Sequence, residues 1–199
     1  MTSDAELAAL ERAVDDLEDE AVTFLREMVR TPSVNPPGDY AAILDLLRTR
    51  YEAYGWGVEV EWASDDLLEE LDLPHPRPNV LAYVTRGDGP TVALNAHIDT
   101  ASVEALSRTR AFRSDPEDAH VRAVARNANT VLGDVPVRGT RGGSDAGHFH
   151  AGGTKAVKFG PGGRDSNVHG PDENLALDQL RDAAVVVAAS VRDIGHDAA

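Results

Sequence analysis

"PNVLAYVTRGDGPTVALNAHIDT", residues 78–100, decides how the chain is read. The runs "NVLAYVT" and "TVALNAHI" are apolar and flank "RGDGP", whose glycines and proline favour a turn. The pattern therefore predicts a β-hairpin. Its second strand would deliver His97 and, after one intervening residue, Asp99 to the strand end, where the side chains of open α/β sheets meet ligands. An imidazole backed by a carboxylate is an arrangement that metal hydrolases use to hold a histidine against zinc. A lone His-x-Asp pair is weak evidence, however, and a histidine merely satisfied at a strand end explains it equally well.

Working outward, helical and strand-like segments alternate. Upstream, Ser3 and Glu6 have the spacing of a capping box, and Leu7, Leu10, Val14, Leu17, Ala21, Leu25 and Met28 recur at helical spacing until Thr31-Pro32 stops them. "TPSVNPPGDY" reads as a loop. Tyr40, Ile43, Leu44, Leu47, Tyr51 and Tyr54 then mark a second amphipathic helix, ended by Gly55 and Gly57. "VEVEW", residues 58–62, alternates as a half-buried strand does, and 63–78 reads as an acidic surface excursion.

Downstream, Val121, Val124, Ala128, Val131 and Leu132 mark a helix capped by Gly133. "VPV" and "KAVKF" read as short strands, and Leu177, Leu180, Ala184, Val187 and Val191 give the closing helix its apolar face. The sum predicts an α/β chain with a central mixed sheet flanked by helices, forming one domain over 1–199 with an N-terminal part, 1–100, and a C-terminal part, 101–199.

Composition narrows the function classes. There are 34 acidic and 19 basic side chains, for a formal charge of -15, so nucleic acid and anionic membranes are unsuitable partners. The acidity is spread along the chain, and Lys155 and Lys158 are its only lysines. That pattern suits a salty, halophilic cytoplasm, where ionic strength screens self-repulsion. The chain has no cysteine, so any zinc must be held by His, Asp or Glu. The N-terminal stretch is acidic and amphipathic, unlike a secretory signal, and "AAVVVAA" at 183–189 is too short to span a bilayer. The expectation is a cytoplasmic protein.

Other polar groups are less telling one by one. His169 follows a glycine-rich loop and precedes Asp172-Glu173 at the start of the last helix, where acidic residues are favourable in any case. "GGSDAGHFH" lacks the G-x-S-x-G elbow of a serine nucleophile. His148 and His150, two apart, would not face the same way on a helix.

In order, "TPSVNPPGDY", "PNVLAYVTRGDGPTVALNAHIDT", "RGTRGGSDAGHF" and "KFGPGGRDSNVHGPDENLALDQL" resemble the beginning and end of the co-catalytic zinc hydrolases that include acetylornithine deacetylase, succinyl-diaminopimelate desuccinylase and aminoacylase. The resemblance implies that His97 ligates one zinc (or cobalt) ion and His169 a second. Asp99 would be the catalytic-site carboxylate that orients His97, and Gly142, Gly143, Ser144 and Asp145 would line the substrate end. Where many members carry an arginine shortly after that pair, this chain has Gly147 and His148.

Members also carry, between these segments, a bridging aspartate, a Glu-Glu pair holding the general base, a further acidic ligand and an inserted lid domain. None has a visible counterpart between Thr100 and Gly142. Local carboxylates such as Glu104, Asp165 or Glu173 are candidate replacement ligands, a poorer reading than a disabled site. The implied function is a shortened, impaired amide hydrolase of N-acyl amino acids or small peptides. The alternatives are a non-catalytic binding or scaffold protein, or the remnant of a full-length hydrolase gene. Loss of the central segment also predicts an open sheet edge that favours self-association.

Overall fold

The computed structural model describes residues 1–101, 112–139, 144–163, 166–168, 170 and 172–197. They form helices α1 (Asp4–Arg30), α2 (Ala41–Ala53), α3 (Asp65–Glu70), α4 (Ala119–Leu132), α5 (Ala146–Ala151) and α6 (Leu177–Asp197). The strands are β1 (Val34–Asn35), β2 (Gly57–Trp62), β3 (Pro78–Tyr83) and β4 (Thr100–Ala101). The mixture of helices and small sheets is of the α/β class. The described residues fall into two compact units, one comprising 1–20, 88–95 and those from 112 onward, the other 21–87 and 96–101.

In the second unit, β2 and β3 pair antiparallel, from Gly57 opposite Tyr83 to Trp62 opposite Pro78. Helix α2 packs on this ladder. Tyr40, Ile43 and Leu47 form the buried centre, with Phe24, Met28, Leu46, Tyr51, Val80 and Ile98 around them. Ile43, Leu47 and Tyr51 recur at four-residue intervals and so fall on one helical face, which is why the stripe seen in the sequence becomes the core. At the end of α2 the N–H of Gly55 donates to the Glu52 carbonyl at 2.9 Å, and Gly55 has φ +74°, a left-handed turn that glycine makes without a Cβ clash. Arg50 ties this helix to α1 through a 2.6 Å ion pair with Glu27 and lies over the Phe24 ring. The only other ladder is parallel, two residues long among the described residues, with Val34 opposite Thr100 and Asn35 opposite Ala101.

The first unit is built on the packing of α4 against α6. Val121, Ala123 and Ala128 meet a face of α6 that contains Ala183, Val185, Val186 and Ala189, all buried. The small side chains on both sides allow close approach. Within this apolar contact lies Asp193, 1% exposed. Its carboxylate accepts from Arg126 Nη2 at 2.7 Å, Thr2 Oγ1 at 2.8 Å and Asn127 Nδ2 at 3.1 Å. The capping box at the start of α1 is present: Ser3 N donates to Glu6 Oε2 at 2.8 Å and Glu6 N to Ser3 Oγ at 3.4 Å. Arg192 also pairs with Glu6 and holds its carboxyl well below the usual carboxylate range.

Several sequence expectations need correction. The hairpin over 79–98 does not form: β3 takes β2 as its partner, and residues 91–98 carry no ladder, with Leu94 72% exposed. A β-prone run becomes a strand only where a neighbour supplies its backbone hydrogen bonds, and here the alternating 57–62 segment is that neighbour for β3. His97 is therefore not at the end of a buried strand. "VPV" and "KAVKF" likewise form no strand, so the expected central mixed sheet consists, among the described residues, of one antiparallel and one parallel pair. The excursion at 63–78 contains α3, whose first turn is capped by Ser64 Oγ accepting from Leu67 N at 3.3 Å. The "GGSDAGHFH" segment becomes α5 from Ala146.

Candidate functional site

His97 and Asp99 are held beside the loop that follows α1. The parallel β1–β4 ladder sets Asn35 opposite Ala101, which brings the 33–37 loop alongside Asp99. There the two oxygens of the Asp99 carboxylate are divided. Oδ1 faces His97 Nδ1 at 3.4 Å, and Oδ2 accepts from Asn35 Nδ2 at 3.2 Å. The imidazole is 72% exposed and the carboxylate 24% exposed, so the histidine reaches outward from a partly sheltered carboxylate. Nδ1 is thus the ring nitrogen turned to the carboxylate, as in a carboxylate-oriented histidine.

The surroundings shape the charge of this group. Burial, with the nearby Asp99 carboxylate, pushes the Tyr40 hydroxyl above the ordinary tyrosine range, while Arg77 works in the opposite direction. Tyr40 is therefore a neutral phenol at physiological pH. The Arg77 guanidinium lies over its ring, 5.2 Å from the centroid. Arg77 also donates to the backbone carbonyls of Gly38 at 2.6 Å and Pro37 at 2.9 Å, and its Nη2 is 3.5 Å from Asn35 Oδ1. Asn35 and Arg77 are the residues around the pair that sequence reading missed. Asn35 sits in a proline-rich loop and Arg77 in an apparent surface excursion, and 42 residues separate them, so no local pattern signals their meeting.

The remaining expected site residues are placed differently. His169, Gly142 and Gly143 lie outside the described residues, as do Glu104 and Asp165. Ser144 and Asp145 stand just before α5. The Ser144 carbonyl accepts from Gly147 N at 3.1 Å, and Asp145 Oδ2 accepts from Asn95 Nδ2 at 3.1 Å. Asp145 is thus engaged by an asparagine of the segment preceding His97.

Among the described residues, no group of three or more His, Asp or Glu side chains is placed to hold a metal ion. A catalytic zinc takes three protein ligands and keeps one open position. The described donors amount to one exposed imidazole and a carboxylate already shared among His97, Asn35 and Tyr40, so they do not by themselves fit such an ion.

The mixed helices and small sheets are consistent with a peptidase-like α/β domain. The sequence as a whole specifies the family. The family model for peptidase family M20/M25/M40 matches residues 8–193, and the chain belongs to that family. Membership points to a metal-dependent hydrolase, and the family generally binds zinc or cobalt. No curated protein and no solved structure matches the chain. No helix of the described residues is long and apolar enough to cross a membrane.

Proposed function

We propose that this chain is a shortened relative of the acetylornithine deacetylase, succinyl-diaminopimelate desuccinylase and aminoacylase group, directed toward N-acyl amino acids or small peptides and impaired in hydrolysis. One observation carries this reading: the family match runs over residues 8–193, while the His97–Asp99 pair stands without a recognisable general base or bridging carboxylate between Thr100 and Gly142. Acid-base catalysis is typically worth about 10²–10⁴-fold, so its loss alone removes efficient turnover. His97 and His169 would be the remaining metal-binding histidines, with Gly143, Ser144 and Asp145 toward the substrate. The protein would work in a cytoplasm of high salt, without nucleic-acid or membrane partners, and would self-associate through an open sheet edge.

Zinc should accordingly bind weakly, because two neutral imidazoles leave most of the charge on Zn²⁺ uncompensated. Isothermal titration with Zn²⁺, followed by an acyl-amino-acid hydrolysis assay on the same sample and on His97→Ala, tests both parts. The expected result is a low-affinity isotherm and no hydrolysis above the His97→Ala background. Tight stoichiometric binding with turnover abolished by His97→Ala would show a working site and overturn the impaired reading.

The charge of -15 motivates a separate expectation. Screening relieves repulsion among dispersed carboxylates, so Tm should rise as salt goes from low to molar concentration. Scanning calorimetry in a KCl series measures this. A Tm that is flat or falls with salt would refute adaptation to a salty cytoplasm.

A further inference from the structure

The contacts of Asn35 and Arg77 reach beyond the family assignment, because they fix which way the Asp99 carboxylate and the His97 imidazole are turned. An arginine guanidinium has donors only, and a carboxylate has acceptors only. Asn35 lies between the two, with Oδ1 toward Arg77 Nη2 and Nδ2 toward Asp99 Oδ2. The opposite amide orientation would set its N–H groups against the guanidinium and its carbonyl against the carboxylate. Arg77 thus selects the orientation in which Asn35 donates to Asp99. With Oδ2 accepting from Asn35, Oδ1 is the oxygen that faces His97 Nδ1, and the Tyr40 hydroxyl also hydrogen-bonds this carboxylate.

Arg77 is itself held in place. The carbonyls of Pro37 and Gly38 take its two terminal nitrogens, and the Tyr40 ring lies under its plane. Gly38 has φ +77°, and a Cβ built there would collide with Arg77 Nη1, so the absence of a side chain at position 38 makes room for the guanidinium. A planar fork serves these separated acceptors better than an ammonium, whose point charge lacks the two-pronged geometry.

We propose that Arg77 and Asn35 are positioning residues for His97. The guanidinium fork of Arg77 orients the Asn35 amide, the amide anchors Asp99 Oδ2, and the anchored carboxylate holds the imidazole as its Nδ1–H tautomer with Nε2 presented outward. The proposal rests on the reading of His97 and Asp99 as the functional pair, and its test separates the two ideas.

The measurement is a long-range ¹H–¹⁵N correlation spectrum of the imidazoles of the ¹⁵N-labelled, metal-free full chain in mildly alkaline buffer. His97 is assigned by loss of its signals in His97→Gln. In the wild type His97 should be mainly the Nδ1–H tautomer. Asn35→Ala and Arg77→Ala should each make that form a minority, and Arg77→Lys, which keeps the charge but not the fork, should fail to restore it. Tryptophan fluorescence verifies that each variant is folded, and Asn35→Ala decides the matter if Arg77→Ala is not. A wild-type His97 in the Nε2–H form would overturn the His97–Asp99 pairing and the proposal with it. A wild-type Nδ1–H form that persists in Asn35→Ala, or that Arg77→Lys fully retains, would overturn the positioning role alone and leave the pairing intact.

Discussion

Asp193→Ala should lower the stability of the α4–α6 pair by about 3 kcal/mol, near the lower end of what breaking a buried, hydrogen-bonded charge pair costs. The substitution leaves Arg126 without the acceptor that lies 2.7 Å from it and Asn127 with only Ser190 Oγ, at 3.4 Å, in place of the carboxylate at 3.1 Å. Arg126 is partly exposed and can recover some hydration, which argues against a larger figure. For a chain of this size the change corresponds to a fall in Tm of about 6–12 °C. Thermal unfolding followed by far-UV circular dichroism, which α4 and α6 dominate within their unit, measures it. An unchanged midpoint would mean that the carboxylate contributes nothing net.

The same residue gives a pH dependence of known sign. Burial of Asp193 opposes ionisation, but hydrogen bonds from Arg126, Thr2 and Asn127 outweigh it and hold the carboxyl well below the usual carboxylate range. A group whose pKa is depressed on folding stabilises the fold above its unfolded pKa, and that stabilisation is lost as pH falls toward the folded value. The contribution should be complete at neutral pH and decline below about pH 4. Asp193→Asn removes the ionisation while keeping the shape. The stability gap between wild type and Asp193→Asn should therefore narrow from pH 5 to pH 2, and a gap independent of pH would refute the assignment.

Ile43→Ala should cost the unit around α2 about 3 kcal/mol. Ile43 is 0% exposed and lies at the centre of the Tyr40–Ile43–Leu47 cluster, against Phe24, Met28 and Val80. Deleting such a side chain removes its transfer free energy and leaves a cavity that neighbours fill only in part, which together cost about 2–5 kcal/mol. The chain's tryptophans, Trp56 and Trp62, both belong to this unit, and Trp56 stacks on Tyr51 of α2 at 5.5 Å. Urea unfolding followed by tryptophan fluorescence therefore reads this unit. The midpoint should fall with little change in slope, whereas an unchanged midpoint would show that the site collapses without cost.

The helices α1, α2, α4 and α6 were legible in the sequence because a helix closes its hydrogen bonds within four residues, so spacing, caps and stops are written locally. The capping box of Ser3 and Glu6 and the glycine ends at Gly55 and Gly133 belong to the same category. So does the His97–Asp99 pair, because its residues are two apart. The family, too, was visible in the order of the motifs.

Tertiary structure decided the rest. In α6 the spacing pointed to Leu177, Leu180, Ala184, Val187 and Val191 as the packed face, yet the buried residues are Ala183, Val185, Val186, Ala189, Ser190 and Asp193. A run such as "AAVVVAA" is apolar on every side, so its periodicity fixes no rotation about the helix axis. The bonds of Asp193 to Arg126 and Asn127 of α4 accompany the face that is buried. Strand pairing is similar: "NVLAYVT" had two apolar partners available in sequence, and the ladder formed with 57–62 rather than 91–98. A strand's hydrogen bonds lie entirely outside itself, and so do the contacts that bring Arg77 to Asn35 and Asn35 to Asp99. Sequence thus determined the elements whose stabilising bonds are local, while partners distant along the chain, and with them the setting of His97, were chosen only when the chain packed.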